Sequence, residues 1–167
     1  MSTTHNIHKL LNNHSIKENF KLSRVGIHNK GELSIEKLLN FIQSNERFNE
    51  AGGVACFFGY VKAFTTDEKK VTNLELEAYK ERVEEKFEEI AVDIKTRPGI
   101  VDCLIHHVTG KLDLGDLIFA VMVAGKSRKN VFPALVEATE RAKKEAAIWK
   151  KETLETGESY WVEYGKE

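Results

Sequence analysis

Val71-Thr-Asn-Leu-Glu-Leu-Glu-Ala-Tyr79 runs without a break into Lys80-Glu-Arg-Val-Glu-Glu-Lys-Phe-Glu-Glu-Ile-Ala-Val-Asp-Ile-Lys-Thr-Arg97. In the first stretch Leu74, Leu76 and Ala78 alternate with Glu75, Glu77 and Tyr79, the two-residue period of a strand with one wet face. In the second, Val83, Phe87, Ile90, Ala91 and Ile94 fall on one face of a helix, and Pro98-Gly99 stops it. The polar tip Thr65 to Lys70 joins Val71–Tyr79 to an apolar run, Val54 to Phe64, introduced by Gly52-Gly53. This pair reads as a hairpin. Further back, Ile35, Leu38, Leu39 and Ile42 give Ser34–Gln43 a helical stripe, and Phe20–Ile27 reads as a first strand. Downstream, strands Ile100–Val108 and Asp116–Ala124 flank a turn with Gly110 and Gly115. A helix is predicted from Ser127 to about Trp149, with Pro133 in its first turns, and Glu158–Tyr164 closes as a strand. The order β-α-β-β-α-β-β-α-β predicts an α+β fold with hairpins, not a regular βαβ succession. Residues 20–167 read as one domain, preceded by a polar arm, 1–19, that is poorly ordered or marginally helical.

The 167 residues are 41% hydrophobic and 31% charged, enough apolar content for one core and too much for disorder throughout. A formal charge of -1 gives no global field for nucleic acid or membrane. The longest apolar runs, such as Leu117–Ala124, fall short of the roughly 18 residues of a membrane span. No basic-then-apolar leader opens the sequence, so a cytoplasmic setting is expected. Cys56 and Cys103 form no CxxC and sit in apolar stretches, where they read as small buried hydrophobes of a reducing compartment. His5, His8 and His14 lack metal-site spacing, and neither a metal nor a cofactor is expected.

The near-neutral total hides an asymmetry. Residues 126–151 contain eight cations and three acids, a local +5 that leaves -6 on the remainder. Lysine-rich helix faces are usually just solvated, and one alternative reading is a non-catalytic module docking an acidic protein or nucleic acid through this segment. A sharper reading rests on spacing. On one continuous helix Lys143 and Lys150 return to nearly the same azimuth, with the short Ala146 and Ala147 between them. Amines crowded together and partly buried can work as general acids, bases or nucleophiles near neutral pH. Ser127 is placed as an N-cap, and with Arg128 it can cradle a phosphate or carboxylate at the helix start. Ala120–Ser127 also fits a permissive phosphate-loop pattern ending Gly125-Lys126-Ser127. However, Val121, Met122 and Val123 continue a strand where that loop needs glycines, so a nucleotide-triphosphatase role for Lys126 is disfavoured. His106 and His107 are adjacent on a strand and must face opposite sides; one can look into a site, and a structural role is expected.

Four motifs, in order, resemble a known family. Phe57-Phe58-Gly59-Tyr60-Val61-Lys62, Leu74-Glu75-Leu76-Glu77-Ala78-Tyr79, the His107–Asp116 hairpin and Lys143–Glu152 ending Ile-Trp-Lys-Lys-Glu are similar to the large, catalytic subunit of molybdopterin synthase. The resemblance spans roughly Phe20 to Tyr164. It implies an α/β hammerhead-type fold and a homodimer core within a heterotetramer. The expected partner is a small ubiquitin-like sulfur carrier ending in a Gly-Gly thiocarboxylate, and the expected reaction is sulfur transfer to cyclic pyranopterin monophosphate. The resemblance further implies that Lys143 and Lys150 are catalytic. Tyr60, Val61, Lys62, Ser127, Arg128, Lys151 and Glu152 would form the substrate environment, some of them from the second subunit. Three positions depart from the pattern: Ser127 replaces a usual His, Lys62 a usual Arg, and Val108 a usual Arg. The Lys62 change keeps the charge and loses the bidentate fork.

Overall fold

The computed structural model describes residues 22–162. The polar arm, Phe20, Glu163 and Tyr164 lie outside the described residues. Within them the order is β1 (Val25–Asn29), α1 (Ile35–Gln43), a single 3-10 turn (Phe48–Glu50), β2 (Gly53–Tyr60), β3 (Val71–Ala78), α2 (Lys80–Lys95), β4 (Ile100–Asp113), β5 (Leu117–Gly125), α3 (Arg128–Glu145), β6 (Ile148–Leu154) and β7 (Ser159–Val162). The α+β expectation holds. The strands form one sheet in the order β2-β5-β4-β3-β6-β7, all antiparallel neighbours, with β1 added parallel to β4.

The long β4 organises the molecule. Its Ile105–Thr109 portion pairs with β1, and Gly110–Leu112 then takes β3 along with the next residue, Asp113. One strand therefore belongs to two half-sheets. Over the first half, α2 and α3 bury Phe87, Ile90 and Ala138 against Cys103, Ile105 and Val121. On the opposite face α1 buries Leu38 and Ile42 against Leu104 and Met122. Ser34 caps α1 as its periodicity requires, its hydroxyl accepting from the Lys37 amide at 3.3 Å. The second half-sheet has a small core of its own, Val61, Leu74, Leu76, Val108 and Leu112.

Three sequence expectations change. The predicted hairpin between the runs at 54–64 and 71–79 does not form: β2 pairs with β5, and β3 pairs with β4 and β6. The alternating leucines of β3 need a covered face, which Leu112 and Ile148 provide, so the ten residues between β2 and β3 cross from one half-sheet to the other. The last helix ends at Glu145 rather than near Trp149, and the chain then forms β6. Cys103 is buried as expected, whereas Cys56 is exposed, because α1 packs over β4 and β5 and leaves that part of the edge strand β2 uncovered.

Gly52 is needed for space. Its amide donates to the Gly125 carbonyl at 2.9 Å, and a Cβ there would lie 2.2 Å from the Lys126 carbonyl oxygen. Only glycine lets the chain enter β2 so close to the end of β5.

Candidate active site

Ala146, at φ -83° and ψ 133°, turns the backbone from helix to strand immediately after α3. Lys143 lies in the last turn of α3, and Lys150 is the third residue of β6. They do not share a helix face, because the helix on which their spacing would align them ends before Lys150. They nevertheless converge: both lysines line one cavity of about 370 Å³. Strand alternation gives Lys150 and Glu152 the same face of β6 and sends Trp149 and Lys151 to the other. Leu74 and Leu76 of β3 and Ile148 close the floor, Phe57 and Phe119 stand at the α3 side, and His107 of β4 joins them.

The charges are held in defined positions. Lys150 Nζ is 3.1 Å from Glu152 Oε1, and Glu152 is only 6% exposed. The Tyr160 hydroxyl donates to Glu152 Oε2 at 2.9 Å. Lys143 Nζ lies 5.9 Å from the centroid of the Phe57 ring, within cation–π range. His107 Nδ1 is 2.9 Å from the Val108 carbonyl, a contact in which a protonated Nδ1 donates and Nε2 is left as the acceptor. A cavity of this size with apolar walls and convergent cations suits a small anionic molecule, since an apolar lining strengthens each charge–charge contact.

The remaining candidates separate into two groups. Tyr60, Val61 and Lys62 line the same cavity, Val61 buried and the other two exposed. Lys151, Ser127 and Arg128 do not. Lys151 points to the opposite sheet face, 3.6 Å from Glu75 Oε2 and 5.7 Å from the Trp161 ring centroid. Ser127 and Arg128 stand at the other end of α3, about 22 Å from Lys143 at 1.5 Å per residue. Ser127 occupies the N-cap position, but its hydroxyl donates to Asn130 Oδ1 at 2.8 Å and accepts no helix amide. Ala120–Gly125 is buried strand, so the phosphate-loop pattern is not a loop.

Of the two adjacent histidines, His107 faces the cavity and His106 is fully buried, its Nδ1 2.9 Å from Nε2 of His28. Tyr160 was not recognised from sequence. The usable signal was the alternation of Ser159–Val162, which places it opposite Glu152 once β6 is known to be a strand. Among the described residues no group of three or more His, Cys, Asp or Glu is arranged to hold a metal, and no helix is long and apolar enough to cross a membrane.

Comparison with known proteins gives one family. Residues 28–145 match the family described as MoaE protein. The chain is 33% identical over 142 residues to the molybdopterin synthase catalytic subunit of Pyrococcus abyssi, covering 84% of this chain and 92% of that one. It is 33% identical over 123 residues to that of Bacillus subtilis, covering 74% and 76%. The crystal structure of molybdopterin synthase from Staphylococcus aureus superimposes with a TM-score of 0.74 at 31% identity, over 85% of this chain and 98% of that one. With the family motifs on the strands and helix that build the cavity, the chain belongs to the MoaE family, that of molybdopterin synthase catalytic subunits.

Proposed function

We propose that this chain transfers sulfur from the C-terminal thiocarboxylate of a small ubiquitin-like carrier to cyclic pyranopterin monophosphate, forming the dithiolene of molybdopterin. The observation that carries the reading is the convergence of Lys143 and Lys150, from different elements, on one cavity sized for a small molecule. Both reactants are anions, and the two ammonium groups complement them. When sulfur attacks a carbon bearing oxygen, a protonated lysine supplies the proton to the departing oxygen. The same cations stabilise the tetrahedral anion at the thioester stage, and an unprotonated amine accepts a proton. Tyr60, Val61, Lys62 and Glu152 surround the substrate within the chain. Ser127, Arg128 and Lys151 act from a second copy, in a homodimer that binds two carrier subunits as a heterotetramer. The setting is the cytoplasm, and no metal or cofactor takes part.

The docking-module alternative loses support from the charge pairing. Arg141 binds Asp93 and Glu145, Lys150 lies against Glu152 and Lys151 against Glu75, so the segment presents less free charge than its sequence suggests. Mixing the purified protein with a thiocarboxylated small subunit and the cyclic pterin should yield dithiolene. Lys143→Ala and Lys150→Ala should each slow it by about 100- to 1,000-fold with fold and dimer retained; full activity in both variants would dispose of the reading.

A further inference from the structure

Glu152 and Tyr160 are direct cross-strand partners in the antiparallel pair β6–β7, and Lys150 precedes Glu152 by two residues on the same face. The three side chains form a chain of contacts: Tyr160 hydroxyl to Glu152 Oε2 at 2.9 Å, and Glu152 Oε1 to Lys150 Nζ at 3.1 Å. On the other side of β6 lie Leu74, opposite Glu152, and Leu76, opposite Lys150, both buried. The carboxylate is thus enclosed by an apolar wall, a phenol and an ammonium. A buried carboxylate with one oxygen pinned cannot rotate freely, and the other oxygen then fixes the direction of the amine it holds. Glu152 is among the cavity residues; Tyr160 is not.

We propose that Tyr160 is a positioning residue for Lys150: by holding Glu152 Oε2 it sets the carboxylate so that Oε1 orients the Lys150 ammonium in the cavity. The inference rests on the sulfur-transfer reading for its effect on turnover, but the coupling is a property of the chain itself. Burial first, and then the hydrogen bond to Glu152, raise the Tyr160 phenol above its ordinary range, so it remains a donor at neutral pH. Phenylalanine would keep the ring and remove only the donor, leaving Glu152 Oε2 without that partner.

The test uses the full chain and two readouts. In the first, wild type and Tyr160→Phe are labelled briefly with acetic anhydride at one fixed pH, and acylation at Lys143 and Lys150 is measured separately by mass spectrometry. An amine held against a pinned carboxylate reacts slowly, so labelling of Lys150 should rise at least about threefold relative to Lys143 in the variant. An unchanged ratio overturns the proposal, and this readout needs no sulfur transfer. In the second, Tyr160→Phe should lower kcat about tenfold, the scale of one lost charge-assisted hydrogen bond, with KM within about twofold. In a Glu152→Ala background, where no side-chain acceptor remains for the hydroxyl, the same substitution should change nothing further. Equal losses in both backgrounds would mean a packing role and overturn the proposal. Failure of wild type to make dithiolene would remove the proposed function while the labelling ratio still decides the coupling.

Discussion

Lys143 and Lys150 belong to different elements, the last turn of α3 and the third position of β6, and the extended backbone at Ala146 between them turns both into one cavity. Their contributions should differ in kind. Lys150 lies against the buried Glu152, so Lys150→Ala removes both a cavity cation and the partner of an enclosed carboxylate. Each alanine variant should lower kcat by about 100- to 1,000-fold, the range for loss of one preorganised electrostatic group. Lys150→Ala should also lower the urea midpoint more than Lys143→Ala does. Equal midpoints would show that Glu152 needs no cation.

Arg128 lies about 22 Å from Lys143 along α3, too far to serve the same cavity in one chain. If it acts across a dimer, Arg128→Ala and Lys143→Ala should each be inactive alone and complement each other when co-assembled. Half of randomly mixed dimers are heterodimers, and each retains one intact site of two. The mixture should therefore recover about a quarter of the wild-type rate. No recovery in a mixture whose heterodimers are verified by mass would place Arg128 outside the site.

The alternation of Leu74, Leu76 and Ala78 and the stripe Val83-Phe87-Ile90-Ala91-Ile94 were readable because one face of each element is buried, and burial imposes a period. The partner of β3 was not readable: loop length and apolar content make a hairpin with β2 locally plausible, while the choice of β4 and β6 depends on side chains far away in sequence. The start of β6 was missed for a different reason. Ala146 and Ala147 favour helix, and no glycine or proline marks its end. The alternation of Ile148, Lys150, Glu152 and Leu154 carries the strand signal, but two of those positions are charged because they line a cavity. The cavity lining thus masks the strand alternation, and the two lysines converge through a helix end and a strand, not through the single helix that their spacing predicts.

Asp102, 3% exposed, anchors β4 to the surrounding elements. It accepts from Arg24 Nε at 3.1 Å, Asn45 Nδ2 at 2.6 Å and the Cys103 amide at 2.9 Å, and lies 3.5 Å from Lys95 Nζ. Asp102→Ala strands these donors and should cost about 3–5 kcal/mol in urea unfolding, as for other broken buried ion pairs. A loss below about 1 kcal/mol would mean that Arg24 and Lys95 turn to solvent at little cost.

His28 and His106 form a buried pair in which one ring nitrogen donates to the other, so the two rings cannot both be protonated while that bond holds. Gly26 makes the room: a Cβ there would lie 3.1 Å from His28 Nε2 and 3.2 Å from His106 Nδ1. Burial, followed by the His28 charge, brings the His106 pKa down to about 3, and burial lowers that of His28 against the opposing pull of Glu32 and Glu84, with Lys80 reinforcing it. Both folded values lie below the value near 6.5 expected of the unfolded chain. As pH falls from about 6.5 toward 3, the unfolded chain therefore binds protons that the fold refuses, and stability is lost across that window; above it the pair contributes no pH dependence. For His106 the limiting slope is about 1.4 kcal/mol per pH unit. His106→Gln keeps a polar partner for His28 and cannot titrate. Between pH 6 and 4 it should reduce the slope of unfolding free energy against pH by about 1 kcal/mol per unit, measured from urea titrations at each pH. A slope identical to wild type would show that His106 takes up its proton in the folded state as readily as in the unfolded one.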